Sequence, residues 1–165
     1  MILTGKEIEK GVLSGDISLE PFTIEQINPN SYNYRIGNSV KVFKETVGDK
    51  PVFEELIISE DGMTLEPHTM YLANTFEVIG SKKYSMSLIG KSSMGRLGLF
   101  LQVSANLGHL NSKHKWTLEL VATKKIKIYS NMIIGQVSFW ENEGEWLGYD
   151  GFYGTVDNIQ ESKNI

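Results

Sequence analysis

The 165-residue chain has no cysteine, so disulfides and thiolate metal ligands are excluded. It has no long hydrophobic run: no stretch approaches a membrane span, and MILTGKEIEKG lacks the apolar core of a signal peptide. It has no basic block longer than Lys124-Lys125, and its net charge is −4. Sequence-independent nucleic-acid binding needs a broad cationic face, so that class is set aside. A small anion held by a local cluster is not. Only three histidines are present. His109 and His114 sit five apart in one loop and His68 lies elsewhere, so no metal site is assigned and the histidines read as loop residues. The H-x-E…P-C-x-x-C pattern of zinc-dependent base deaminases is missing. A cytoplasmic protein, without membrane or nucleic-acid partner, is the expectation.

What is there reads as one all-β domain. A hydrophobic fraction of 41% and a charged fraction of 22% are ordinary for a globular chain of this size. Thr4 with Glu7 three residues on forms a capping-box pattern for a short helix ended by Gly15, with Ile8, Val12 and Leu13 as its apolar stripe. Short strand patterns then follow one another between glycine-rich turns. They include Ile17–Glu20, a strand with Tyr32, Tyr34 and Ile36 on one face, Phe53 to Ile58, Met70 to Val78, Leu99 to Ala105, Trp116 to Ala122 and Ile133 to Trp140. Many short strands and one short N-terminal helix predict a mainly antiparallel barrel or sandwich. The barrel is expected over residues 1–140. The tail over 141–165 has little core-forming power, and disorder or a crossing to a neighbouring subunit are both open for it.

Two places concentrate chemistry. Gly90-Lys91-Ser92-Ser93-Met94-Gly95-Arg96-Leu97-Gly98-Leu99 puts two cations and two hydroxyls within six positions, beside three glycines. Such a set suits phosphate, through charge-assisted bonds and exposed N–H groups; the bland alternative is a solvated strand-to-helix connection. The second is Glu119, a carboxylate in an apolar strand. Alternation places it opposite Leu118 and Leu120, with Thr117 beside it only if the strand is bulged. It is either a solvent-facing strand position or a partly desolvated carboxylate suited to passing protons.

The first stretch resembles the G-R-S-S-x-x-R-L-G-L signature of dCTP deaminases, in the trimeric dUTPase superfamily. Gln102-Val103-Ser104-Ala105 and Trp116-Thr117-Leu118-Glu119-Leu120 are similar to its H-V-T-A and V-L-E-F segments at the family's spacing. Ile27 to Gly37 resembles its I-x-P-x-S-x-D-x-R-L-G segment, and Tyr71 to Val78 its strand ending in T-L-E. The resemblance implies a distorted dUTPase-like β-barrel, assembled as a homotrimer with active sites between subunits. It also implies zinc-independent deamination of dCTP, or a related cytosine nucleotide, to dUTP and ammonia. Glu119 would be the proton shuttle, with Ser92 and Arg96 in the same catalytic set. Lys91 and Ser93 would grip the triphosphate with its Mg²⁺. Gln102, Val103, Ala105, Asn106, Thr117 and Tyr149 would complete the substrate-binding positions.

The chain also departs from the family pattern. Lys91 replaces an arginine and so lacks the bidentate fork. The aspartate that activates water for dUTP hydrolysis in related enzymes falls at His109. A branch of the family with A-D-L-G-H is matched here with Asn106 in place of aspartate. In the tail Tyr149 and Tyr153 match the family's tyrosines, while Phe152 and Thr155 stand where lysine and glutamine are expected. Two alternatives therefore remain beside the deaminase: a non-catalytic nucleotide- or partner-binding member of the fold, and a dUTP diphosphatase or bifunctional enzyme.

Overall fold

A computed structural model describes residues 1–101, 105–145, 147, 149, 151 and 157–162. The chain begins with helix α1 (Gly5–Ser14), then β1 (Ile17–Glu20), β2 (Ile27–Asn28), the long β3 (Ser31–Val47) and β4 (Lys50–Ile57). It continues through β5 (Met63–Leu65), β6 (Met70–Thr75), β7 (Val78–Ser81), β8 (Ser85–Gly90) and a one-turn helix α2 (Ser92–Arg96). The remaining strands are β9 (Leu99–Leu101), β10 (Leu107–Gly108), β11 (Lys113–His114), β12 (Thr117–Ala122), β13 (Ile126–Ile128) and β14 (Ile133–Trp140). The fold is the all-β, curled antiparallel barrel that the strand pattern predicts. Its main sheet runs β10-β8-β14-β3-β6-β12-β9, with β2 and β4 also paired to β3. A β1-β7-β11 sheet and a β13-β5 pair close it.

The core follows from alternation. Val40, Ala73, Leu118, Leu120 and Phe139 are fully buried, and Tyr32, Tyr34 and Ile36 lie buried along β3. Tyr34 crosses the strand over Gly135, where any side chain would collide with its ring, and donates to the Ile89 carbonyl at 3.1 Å. Burial pushes this hydroxyl far above the usual tyrosine range, so it stays a donor.

Helix α1 differs in two ways from its pattern. Thr4 stands at the N-cap with extended backbone, but its side chain makes no capping bond. The helix start is held instead by Gly5 N–H donating to the Pro29 carbonyl at 2.8 Å. Leu13 is 80% exposed, because the docked face is Gly5, Ile8 and Gly11. At 100° per residue Leu13 lies about 140° round from Ile8, outside that stripe. Gly15 ends the helix in the left-handed region, at φ 78°.

The tail does more packing than its composition predicts. Ile159 is 5% exposed, Asp157 accepts from the Lys115 N–H at 3.1 Å, and Gln160 N–H donates to the Thr117 hydroxyl at 3.1 Å. Lys41 donates to the Ile159 carbonyl and pairs with Glu161 at 2.9 Å. The described tail residues 157–162 thus lie along the chain's own barrel.

Candidate active site

One face of the sheet, opposite the core, builds the floor of the site. Cross-strand partners share a face, and the register Phe53↔Phe43, Lys41↔Leu72, Leu72↔Glu119 and Asn74↔Thr117 lines these residues up across β4, β3, β6 and β12. β12 has no bulge in its pairing with β6, and Thr117 and Glu119 nonetheless look the same way. The expectation that a bulge would be needed is corrected by the period of two itself. Over this floor lies a cavity of about 820 Å³. Phe43, Phe53, Met70, Leu72 and Trp116 give it apolar walls. Glu119, Thr117, His109, His114 and Tyr149 supply its polar groups, and Gln160 and Glu161 of the tail close one side. A pocket of this size and mixed lining suits a nucleoside rather than a bare phosphate.

The loop strands fix the upper wall. Trp116 donates its indole N–H to the Ile79 carbonyl at 2.9 Å and its backbone N–H to the Thr75 hydroxyl at 2.9 Å. His114 packs on Trp116 with ring centroids 4.2 Å apart, and its Nδ1 lies 2.9 Å from the Lys115 carbonyl. Burial pushes this imidazole below the usual histidine range, against a smaller opposing pull from the Lys115 carbonyl and Asp157. A depressed folded-state pKa contributes stability that is intact above the unfolded value of about 6.5 and is lost as pH falls through the lower folded value. Melting temperature is therefore expected to fall as the pH drops below about 6.5, and His114→Asn to flatten that part of the profile. An unchanged slope in the variant would remove His114 as its source. The position was read from sequence as a plain loop residue; its place two residues before the Trp116–Ala122 strand was the available signal.

The cavity gathers only some of the residues singled out in the sequence. Glu119, Thr117, Ala105 and Tyr149 line it, and Tyr149 stacks on His109 with centroids 5.3 Å apart. Asn106 is exposed, is absent from the lining, and donates to the Ser87 hydroxyl at 3.1 Å. Gln102 and Val103, like the tail positions Phe152, Tyr153 and Thr155, lie outside the described residues. Lys91, Ser92, Ser93 and Arg96 do not line the cavity. Lys91 precedes α2, held by its N–H to the Ile134 carbonyl at 3.1 Å, and Ser92 and Arg96 are exposed. Gly98, at φ 88°, turns the chain from this helix into β9. Leu97 and Phe100 beside them are 49% and 48% exposed. Missed as site residues were Phe43 and Phe53, which face each other across the β3–β4 hairpin, and Leu72, which is brought beside Glu119 by the β6–β12 register.

The two halves are chemically incomplete in opposite ways. No lysine or arginine is among the described residues lining the cavity. The cations and hydroxyls of α2 stand on an open surface. Among the described residues no group of three or more His, Asp or Glu is placed to hold a metal ion. Among the described residues no helix is long and apolar enough to cross a membrane.

Comparisons with known proteins bear on the family and the fold. The family model described as dCTP deaminase-like matches residues 2–142. A Clostridium acetobutylicum protein named dCTP deaminase, dUMP-forming, is 43% identical over 98% of this chain and 95% of its own length. A protein of the same name from Hathewaya histolytica is 40% identical over 98% of this chain and 95% of its own. The crystal structure of an Agrobacterium tumefaciens 2'-deoxycytidine 5'-triphosphate deaminase superposes with a TM-score of 0.70 at 19% identity. It covers 86% of this chain and 48% of that one, and bears on the fold. The names of these relatives give dUMP, not dUTP, as the product that those proteins form. On the family model and the full-length relatives together, this chain is an enzyme that belongs to the dCTP deaminase-like family of hydrolases.

Proposed function

We propose that the protein converts dCTP to dUMP, releasing ammonia and diphosphate, with Glu119 passing the protons of the deamination. The observation behind this is Glu119 on the floor of a nucleoside-sized, largely apolar cavity. In the deamination Glu119 takes a proton from water, whose oxygen adds to C4 of the cytosine. The adduct collapses as the carboxyl returns a proton to the amino group, so water enters and ammonia leaves with no net change in the enzyme. Apolar walls exclude competing water, and Thr117 and the neighbouring backbone orient the base edge. Glu119 needs no zinc partner for these transfers, and magnesium arrives with the triphosphate. Full-length relatives named for dUMP favour the longer reaction over one ending at dUTP. Incubation with dCTP and Mg²⁺ is expected to yield ammonia, diphosphate and dUMP in equal amounts. Uptake of nucleotide with no product would instead favour the binding-only reading, which the departures at Asn106, Phe152 and Thr155 motivate. The compartment that fits a soluble nucleotide substrate is the cytoplasm.

The working unit in this reading is a homotrimer, in which α2 of one subunit supplies Ser92, Ser93, Lys91 and Arg96 to the cavity of the next. A triphosphate needs cations that the lining lacks, and α2 has cations with no cavity. Half-exposed Leu97 and Phe100 give that surface the apolar content of an interface. Mixing Glu119→Gln with Arg96→Ala subunits under exchange is the test. Each is expected to be inactive alone, while random mixed trimers regain about a quarter of wild-type activity, since one site in four pairs two intact halves. No recovery despite confirmed exchange would place both residues in one subunit's site.

A further inference from the structure

We infer that His109 is the proton acceptor for the water that releases diphosphate, a second catalytic role separate from that of Glu119. The inference rests on dUMP being the product. Forming it requires two different waters to be activated, one at C4 of the base and one at the α-phosphorus. A single carboxylate placed for the ring is badly placed for the phosphate chain. Among the described residues the titratable groups lining the cavity are Glu119, His109, His114, Tyr149 and Glu161. Glu119 serves the base. His114 is buried, packed on Trp116 and held by its Nδ1 at the Lys115 carbonyl. Glu161 is ion-paired with Lys41 at 2.9 Å. Tyr149 is already engaged in the ring stack on His109, and a phenol as a class is a donor rather than a base.

His109 remains, and its placement fits the task. It is exposed on the rim of the cavity, its ring is oriented by the stack on Tyr149, and neither ring nitrogen has a hydrogen-bond partner among the described residues. Imidazole as a class titrates close to neutrality, which suits it to accept a proton at working pH. In the step the imidazole nitrogen takes a proton from water and the water oxygen bonds to the α-phosphorus. The bond from that phosphorus to the α,β-bridging oxygen breaks, and diphosphate leaves with the electron pair. The imidazolium then returns its proton to solvent. Water plus triphosphate thus gives monophosphate plus diphosphate, with no oxidant or further reactant.

The experiment measures ammonia and diphosphate from the same dCTP reactions, using wild type, His109→Gln and His109→Asp. In wild type the diphosphate-to-ammonia ratio is expected to be close to one. In His109→Gln it should fall about 100-fold or more as dUTP accumulates, and His109→Asp, which restores a proton acceptor, should recover at least about tenfold of that loss. A ratio that stays near one in His109→Gln overturns the assignment, whatever happens to the absolute rates. An aspartate variant no better than glutamine overturns the proton-accepting role. Wild-type protein that makes ammonia and dUTP but no diphosphate would overturn the dUMP reading itself, and His109 with it. Wild type and glutamine variant both making dUMP would remove only His109.

Discussion

Glu119→Gln is expected to lower ammonia release from dCTP by ~10³-fold or more while leaving nucleotide affinity within a few-fold of wild type. The amide keeps the length and planarity of the carboxylate, so the β12 strand, its pairing with Leu72 of β6 and the shape of the cavity persist. What it loses is the ability to take a proton from water and give it back to the amine. Both transfers fail together, and the other carboxylate among the described lining residues, Glu161, is held by Lys41 at the tail side. The measurement is single-turnover ammonia release at saturating dCTP beside equilibrium binding of dCTP to the variant. A variant within tenfold of wild type would move the proton shuttle off Glu119. Loss of binding together with rate would mean that the carboxylate holds the base rather than transforms it.

Part of this chemistry was legible in the chain, because two of the signals singled out are local, although only Glu119 of the two lines the cavity. Glu119 among leucines and the Gly-Lys-Ser-Ser…Arg stretch are visible as residue types that core packing does not call for. The strand pattern also gave the all-β class, since a period of two survives in short segments. What stayed hidden is set by long-range register. Phe43 and Phe53 meet only because the β3–β4 hairpin is paired through its length, and Leu72 faces Glu119 only because β6 inserts between β3 and β12. The Gly48-Asp49 turn is a local signal for the first pair, but no spacing in the sequence encodes the second. The tail failed for another reason. Its composition has few apolar residues, yet among its described residues Ile159 is buried, the Gln160 N–H and the Ile159 carbonyl bond to Thr117 and Lys41, and the Asp157 carboxylate accepts from the Lys115 N–H. Hydrogen bonds from main chain carry no residue signature, so composition underestimates them.

Glu77→Gln is expected to destabilise the folded protein by about 3 kcal/mol, a fall in melting temperature of about 6–12 °C. Glu77 is fully buried and is the hub of a polar set in the wall of the barrel. Its Oε1 accepts from Arg35 Nε at 2.6 Å and from Gln26 Nε2 at 3.3 Å, and its Oε2 accepts from the Arg35 backbone N–H at 2.9 Å. The guanidinium lies over the Phe76 ring at 4.5 Å and keeps one terminal nitrogen buried without a partner. Removing the charge of Glu77 leaves a cation inside the wall with its attraction cancelled and part of its hydration not regained. Arg35 is 22% exposed, which is why the lower end of the range for broken buried pairs applies. Apolar replacement of both partners, Arg35→Met with Glu77→Leu, should cost less than the single change, since no uncompensated charge remains. Thermal melts of the three variants at one protein concentration decide this, because assembly makes melting temperature depend on concentration. A single variant within 1 kcal/mol of wild type, or a double variant worse than the single, would show that the pair is not what holds β3 to the β6–β7 turn. Arg35 and Glu77 fall in two segments that resemble the family, yet neither lines the cavity. Their place in the motif is explained by a barrel wall that must close around a charge, and the catalytic floor inherits its register from that closure.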